Sequence, residues 1–241
     1  YHPWHDATMA VDGKVAEALG EHARSRWQAA GGEAIERPAV SSDPWPEELE
    51  PEFRDVEVAI ARTRGEHGEE QCLREIEALY VDMIRRAKRF FYAENQYFAS
   101  RVIAKAICDR LEEDDPPEFV IVNPHNCDGW LEDAVMSGAR AELMEAVRKC
   151  DRHGRFGLYY PVTEGREDIY VHSKITIVDD RLIRVGSANL NNRSMGLDSE
   201  CDLLIDADAP DNEGVREIIA ERWADLLGEH LGASADTSEA R

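Results

Sequence analysis

Basic residues are scarce in this chain. Lys and Arg number 28 against 50 Asp and Glu, which leaves a net charge of −22 over 241 residues. A nucleic-acid surface needs clustered Lys and Arg to neutralise phosphates, so this balance argues against one. It also argues against broad electrostatic adhesion to an anionic membrane, while leaving room for a small positive pocket. Long apolar runs are missing too. Nothing approaches the roughly 20 residues needed to span a bilayer. No stretch reads as a signal peptide, but the chain opens on Tyr1 rather than Met, so localisation stays open. Cys72, Cys108, Cys127, Cys150 and Cys201 form no CxxC pair and no zinc-ligand spacing. They read as free, mostly buried thiols of a reducing compartment.

The length suffices for one large domain or two small ones with a sizeable core. Residues 5–13 read as a short strand closing in a Gly turn. Residues 14–30 carry Val15, Ala18, Leu19, Ala23 and Trp27 at helical spacing. Prolines 38, 44, 46 and 51 mark a linker loop over 32–54. Beyond it, strands are predicted at 56–60, 90–98, 119–122, 156–160, 169–178, 181–185 and 201–205. Helices are predicted at 73–88, 101–112, 130–150 and 215–227. Strands alternating with helices predict an α/β sandwich. Residues 232–241 read as a disordered tail.

The chemistry concentrates in one span, His172-Ser-Lys174-Ile-Thr-Ile-Val-Asp179, followed by Gly186-Ser187-Ala188-Asn189. His172 and Lys174 are two apart, so on a strand they share a face. An imidazole beside a fixed cation suits attack on a phosphate ester. One group attacks or shuttles a proton, and the other holds the negative oxygens. The Ser187 hydroxyl and Asn189 amide can donate to the same oxygens. A metal at His172 is disfavoured by Lys174, and His2, His5, His125 and His153 show no ligand spacing. Asp179 is odd-spaced from Lys174 and faces away, so it reads as a structural carboxylate paired with an Arg. Glu200 is expected to accept from the His172 ring, fixing its tautomer. Asn95 and Gln96 either reach the pocket floor or only satisfy backbone. Tyr159, Tyr160 and Tyr170 read by default as core.

The two ends of the chain repeat a pattern. Asp6, Asp12 and a helix bearing Arg26-Trp27 match Glu200, Asp206 and a helix bearing Arg222-Trp223.

His172-x-Lys174-x4-Asp179 with Gly186-Ser187-x-Asn189 resembles the HKD signature of the phospholipase D superfamily. Glu94-Asn95-Gln96-Tyr97-Phe98 and Asn191-Asn192-Arg193-Ser194-Met195 resemble segments of its lipid-cleaving members. The resemblance implies a phospholipase D-like α-β-α sandwich. Residues 1–31 would end a first repeat, 32–54 would link, and 55–231 would form the second repeat with the HKD motif. It implies a phosphohistidine mechanism in which His172 is acid and base. Lys174, Ser187 and Asn189 would hold the phosphoryl oxygens, and Asp179 and Gly186 would shape the motif. Asp6 would serve the histidine of a first motif lying before residue 1, in the N-terminal half of the same polypeptide. The implied substrate is a glycerophospholipid, met in transient contact with a membrane surface, without cofactor or metal. The alternatives are a phosphatidyl transferase of the cardiolipin-synthase kind, a dimeric single-motif phosphodiesterase or nuclease, and a catalytically incomplete fragment or assembly module.

Overall fold

The computed structural model describes residues 2–39, 44–67, 71–125 and 130–232. The chain divides into two compact units, Tyr1–Thr8 with Asp55–Arg241, and Met9–Arg54. The smaller unit carries one helix, α1 (Gly13–Ala29). Asp12 caps it, its carboxylate accepting the Gly13 N–H at 2.6 Å, the N-terminal role that a short acceptor side chain suits. No residue of α1 is buried. The proline-bearing stretch after it holds no helix or strand among its described residues.

The larger unit is built on a mixed eight-stranded sheet. Its elements are β1 (Trp4–His5), β2 (Ala59–Arg64), β3 (Leu73–Arg74), α2 (Glu75–Arg86), β4 (Phe90–Glu94), β5 (Phe98–Ala99), α3 (Arg101–Leu111), β6 (Glu118–Val122) and α4 (Trp130–Cys150). They continue with β7 (Phe156–Tyr159), β8 (Tyr170–Val171), β9 (Ile175–Val178), β10 (Leu182–Gly186), β11 (Leu190–Asn191), α5 (Asn192–Gly196), β12 (Glu200–Asp206) and α6 (Val215–Leu231). The sheet runs β3-β2-β12-β10-β9-β4-β6-β7. β4, β6 and β7 are parallel. Helices α3 and α4 provide the crossovers that parallel neighbours require. The remaining neighbours are antiparallel; a tight turn joins β9 to β10, whereas β2–β12 and β4–β9 pair segments far apart in sequence.

Alternation along β4 sends side chains to both faces of the sheet. Phe91 and Ala93 join a core with Ile76, Tyr80 and Ile84 of α2 and Ile103 and Ile107 of α3. Tyr92 packs on the other face with Val122, Val171 and, from α6, Trp223 and Leu226. Helices therefore cover both faces, and the α-β-α sandwich implied by the sequence is the observed architecture.

Two expected strands are broken where the site forms. The stretch 169–178 splits into β8 and β9, leaving His172, Ser173 and Lys174 between them. The stretch 90–98 splits into β4 and β5 around Asn95 to Tyr97. The Asn95 side chain competes with the ladder there, its Oδ1 accepting the Tyr97 N–H at 3.2 Å and the Leu190 N–H at 2.9 Å. Each broken strand finds a new partner. β8 pairs in parallel with β1, and β5 pairs in parallel with β11.

Asp179 begins the β9–β10 turn with φ of 55°, a left-handed conformation that Asp tolerates better than most residues. It is structural, but its partner is not an arginine. Its oxygens accept the backbone N–H groups of Lys88, Arg89 and Phe90 at 3.1, 2.9 and 3.0 Å. The Arg89 guanidinium pairs instead with Asp180, at 3.2 Å. Two other expectations need correction. Tyr159 and Tyr160 are 58% and 51% exposed rather than core. Of the described cysteines, all free, Cys72 is exposed and Cys108, Cys150 and Cys201 are half-buried. Cys127 and residues 233–241 of the expected tail lie outside the described residues. No helix among the described residues is long and apolar enough to cross a membrane.

Candidate active site

The β1–β8 ladder brings Asp6 to His172. His172 Nδ1 lies 2.9 Å from Asp6 Oδ2, and the His172 N–H donates to the His5 carbonyl at 2.8 Å. Burial works to raise the pKa of Asp6, but bonds from His172 and the Ala7 N–H prevail and hold it below the usual carboxylate range. An ionised carboxylate can only accept, so Nδ1 carries the hydrogen. Nε2 is then the nitrogen left to gain and lose a proton.

Lys174 is 7% exposed, and its Nζ donates to the His172 carbonyl at 2.5 Å. Loss of water lowers its pKa to about 8, against the raising influence of Asp6 and Glu200 and with help from Arg184. A cation this poorly solvated gains from an arriving phosphate.

Gly186 to Asn189 form the facing wall. Behind them the fully buried Arg184 donates from Nε to Asp202 Oδ2 at 2.8 Å. Its other nitrogens reach the carbonyls of Lys174, at 2.9 Å, and Ala188, at 3.1 Å. Asp202 Oδ1 accepts the N–H groups of Ser187 and Ala188 at 3.1 and 3.2 Å. The turn approaches Asp202 so closely that a Cβ on Gly186 would lie 2.0 Å from that oxygen. Only glycine fits there.

His172, Lys174, Ser187 and Asn189 line one cleft of about 500 Å³, together with Asp6, Gly186 and Gln96. Gln96 therefore reaches the pocket, whereas Asn95 serves backbone. Gln96 Nε2 donates to the Tyr170 hydroxyl at 2.7 Å, and its Oε1 accepts the Asn189 amide at 3.5 Å. That second bond is long enough to leave the Asn189 amide available. Trp4 stacks on Tyr170, with ring centroids 4.7 Å apart, and lies 5.2 Å from the His172 ring.

The two carboxylates do not sit where they were expected. Glu200 does not touch the His172 ring. Its oxygens accept the hydroxyls of Ser187, at 2.5 Å, and Ser194, at 2.6 Å. Burial raises its pKa, opposed by those two hydroxyls. Asp6, expected to serve a histidine outside this chain, serves His172. The cause is the β1–β8 pairing, which sequence spacing does not reveal because the partners lie 166 residues apart.

Sequence reasoning missed Arg184 and Asp202. The available signal was an arginine inside the apolar run Leu182–Gly186, facing an acidic residue on the neighbouring strand. It also missed a cluster of His5, Glu94 and His230, whose ligand-type atoms lie within 4.8 Å of one another. Those residues come from β1, β4 and α6, so no spacing joins them.

Comparison with known proteins places the chain among relatives. Residues 150–240 match the family model for phospholipase D. Phospholipase D A of Dictyostelium discoideum is 30% identical over 227 residues, covering 80% of this chain and 18% of that protein. Phospholipase D alpha 1 of Carica papaya is 26% identical over 330 residues, covering 98% of this chain and 40% of that protein. The chain thus spans less than half the length of these curated relatives. The crystal structure of phosphatidylserine synthase from Haemophilus influenzae shares the fold with a TM-score of 0.54, at 19% identity, over 92% of this chain and 47% of that one. The matched segment contains His172, Lys174, Ser187, Asn189 and Glu200, and the chain belongs to the phospholipase D superfamily.

Proposed function

We propose that this chain carries one half of a phosphodiester-cleaving site for glycerophospholipids, and that a preceding repeat of the same polypeptide supplies the second histidine. The observation that carries the reading is the Asp6–His172 pair, 2.9 Å apart, beside Lys174 in one cleft. The greater length of the relatives supports the second half of it.

In this reading the histidine of the preceding repeat attacks phosphorus. A P–N bond forms as the P–O bond to the headgroup alcohol breaks. His172, as imidazolium, gives its Nε2 proton to the leaving oxygen. Asp6 keeps Nδ1–H in place and compensates the ring's positive charge. His172, now neutral, takes a proton from water or a second alcohol, whose oxygen displaces the P–N bond. Water gives hydrolysis, and an alcohol gives transfer. Lys174 and the Asn189 amide hold the phosphoryl oxygens, with Ser187 assisting. Glu200, which borders the cleft through Ser187, receives the incoming histidine as Asp6 receives His172. That assignment follows from the internal repeat of the two carboxylates.

The test is headgroup release from phosphatidylcholine vesicles. The longer protein is expected to be active and to lose about 10²–10⁴-fold on His172→Ala, while the 241-residue chain alone gives little or none. Activity of the isolated chain rising with the square of its concentration would instead mean that two copies share one site. Full activity of the His172→Ala protein, abolished by a chelator, would overturn the mechanism.

A further inference from the structure

Glu94 is fully buried at the end of β4, and its carboxylate collects donors from four separate segments. Oε2 lies 2.6 Å from His5 Nε2 and accepts the Ser173 hydroxyl at 2.7 Å. Oε1 accepts the Tyr92 hydroxyl at 2.6 Å and lies 2.9 Å from His230 Nε2. His5 makes a second ionic contact through Nδ1, 3.0 Å from Glu229 at the last turn of α6. The pairing on Oε2 matters most. His5 immediately precedes Asp6, and Ser173 lies between His172 and Lys174. One oxygen therefore holds the residue next to each member of the Asp6–His172 pair. The His5 carbonyl adds a second clamp, accepting the His172 and Ser173 N–H groups at 2.8 and 3.3 Å.

We propose that Glu94 is a positioning residue for the His172 site, acting through His5 and Ser173, and that the last turn of α6 belongs to the same support through His230 and Glu229. The β1–β8 ladder is two residues long on each side and cannot fix its own register. A buried carboxylate with four good donors can, because shifting either segment strands a charge or a donor away from water. Burial raises the pKa of Glu94, but His230, His5 and Tyr92 prevail and hold it well below the usual range. His5, bonded to Glu94 against the opposing effect of burial, is raised to about 9. The cluster therefore carries an imidazolium between two carboxylates at neutral pH. His5 Nε2 and His230 Nε2 both face Glu94 within hydrogen-bond reach, an arrangement that protons alone can hold.

The inference rests on the proposed role of His172, so its test reads the ring itself as well as turnover. In the 241-residue chain with ¹⁵N-labelled histidine, the wild-type His172 ring should show a single Nδ1–H tautomer with a slowly exchanging proton. Glu94→Gln should broaden that signal or mix the tautomers. In the longer protein it should lower kcat by about 10–100-fold with little change in KM, as a misplacement near 1 Å does. Ser173→Ala removes one arm only, and should show the same signature more weakly even if Glu94→Gln fails to fold. Glu221→Gln, exposed on the same helix, should change neither readout. An unchanged His172 signal in folded Glu94→Gln or in Ser173→Ala overturns the proposal, whatever the lipid assay gives. A rise in the melting temperature of chelator-treated wild type with micromolar Zn²⁺, absent in Glu94→Gln, would also overturn it and make the cluster a metal site. If the ring signal moves but no form cleaves lipid, the positioning role stands and the proposed reaction falls.

Discussion

Asp202 divides its two carboxylate oxygens between a side chain and a turn: Oδ2 takes the buried Arg184 guanidinium, and Oδ1 takes the Ser187 and Ala188 amides. The Gly186–Asn189 wall of the cleft is thus fixed from behind by a buried ion pair. Arg184 also holds the Lys174 carbonyl, so one residue ties the cation to the wall opposite it.

Arg184→Met leaves Asp202 charged, buried and without its cation. It should destabilise the protein by about 3–5 kcal/mol, the usual cost of orphaning one partner of a buried pair. Arg184→Met with Asp202→Asn should recover part of that loss, since the amide oxygen still accepts from the turn. Urea denaturation of the three proteins measures both steps.

Gly186→Ala drives a methyl into Asp202 Oδ1 at 2.0 Å. The turn must shift, at a cost of about 1–3 kcal/mol. A melting temperature equal to that of wild type would show that Asp202 yields without penalty and that the wall is softer than described.

Asp6→Asn keeps the volume beside His172 but removes the charge that stabilises its imidazolium. In the longer protein kcat should fall by about 10²–10⁴-fold, with melting little changed because Asp6 is nearly half exposed. Equal loss of melting temperature and activity would make Asp6 a structural residue only.

Lys174 has its pKa lowered to about 8, first by desolvation. It is charged below that pH and neutral above it. Binding of a phosphodiester of constant charge, such as glycerophosphocholine, should therefore weaken as pH rises through 8, approaching roughly tenfold per unit as one proton is lost. Lys174→Arg should bind without that limb. Calorimetric titrations at pH 6, 7, 8 and 9 decide it, and a flat profile for wild type would remove Lys174 from the phosphate.

The parts of this fold legible in the sequence are those set by local pattern. The apolar alternation of β4 and the helical spacing of α2 and α3 marked their elements to within a few residues. The His-x-Lys and Gly-Ser-x-Asn spacing marked four side chains that do share a cleft. Contacts decided by register were not legible. Glu200 looked like the partner of His172 because it follows the motif, whereas a ladder joining distant segments put Asp6 there. Glu94 looked like part of an ordinary strand, because nothing local announces that three other segments aim donors at it. Tyr159 and Tyr160 looked like core because aromatics usually are, yet they stand on β7 and just past its end, at the edge of the sheet.

The short β1–β8 ladder also has a kinetic meaning. Trp4 and His5 wait for Tyr170 and Val171, and closing a loop of that length costs entropy that two residue pairs cannot repay alone. The pairings β2–β12 and β4–β9 in the sheet also close long loops, but over five and four residue pairs rather than two. The order of assembly is then sheet first and chemistry last: the scaffold consolidates while His172 still lacks its carboxylate. The Asp6–His172 pair forms only when the early segment docks onto a nearly finished fold.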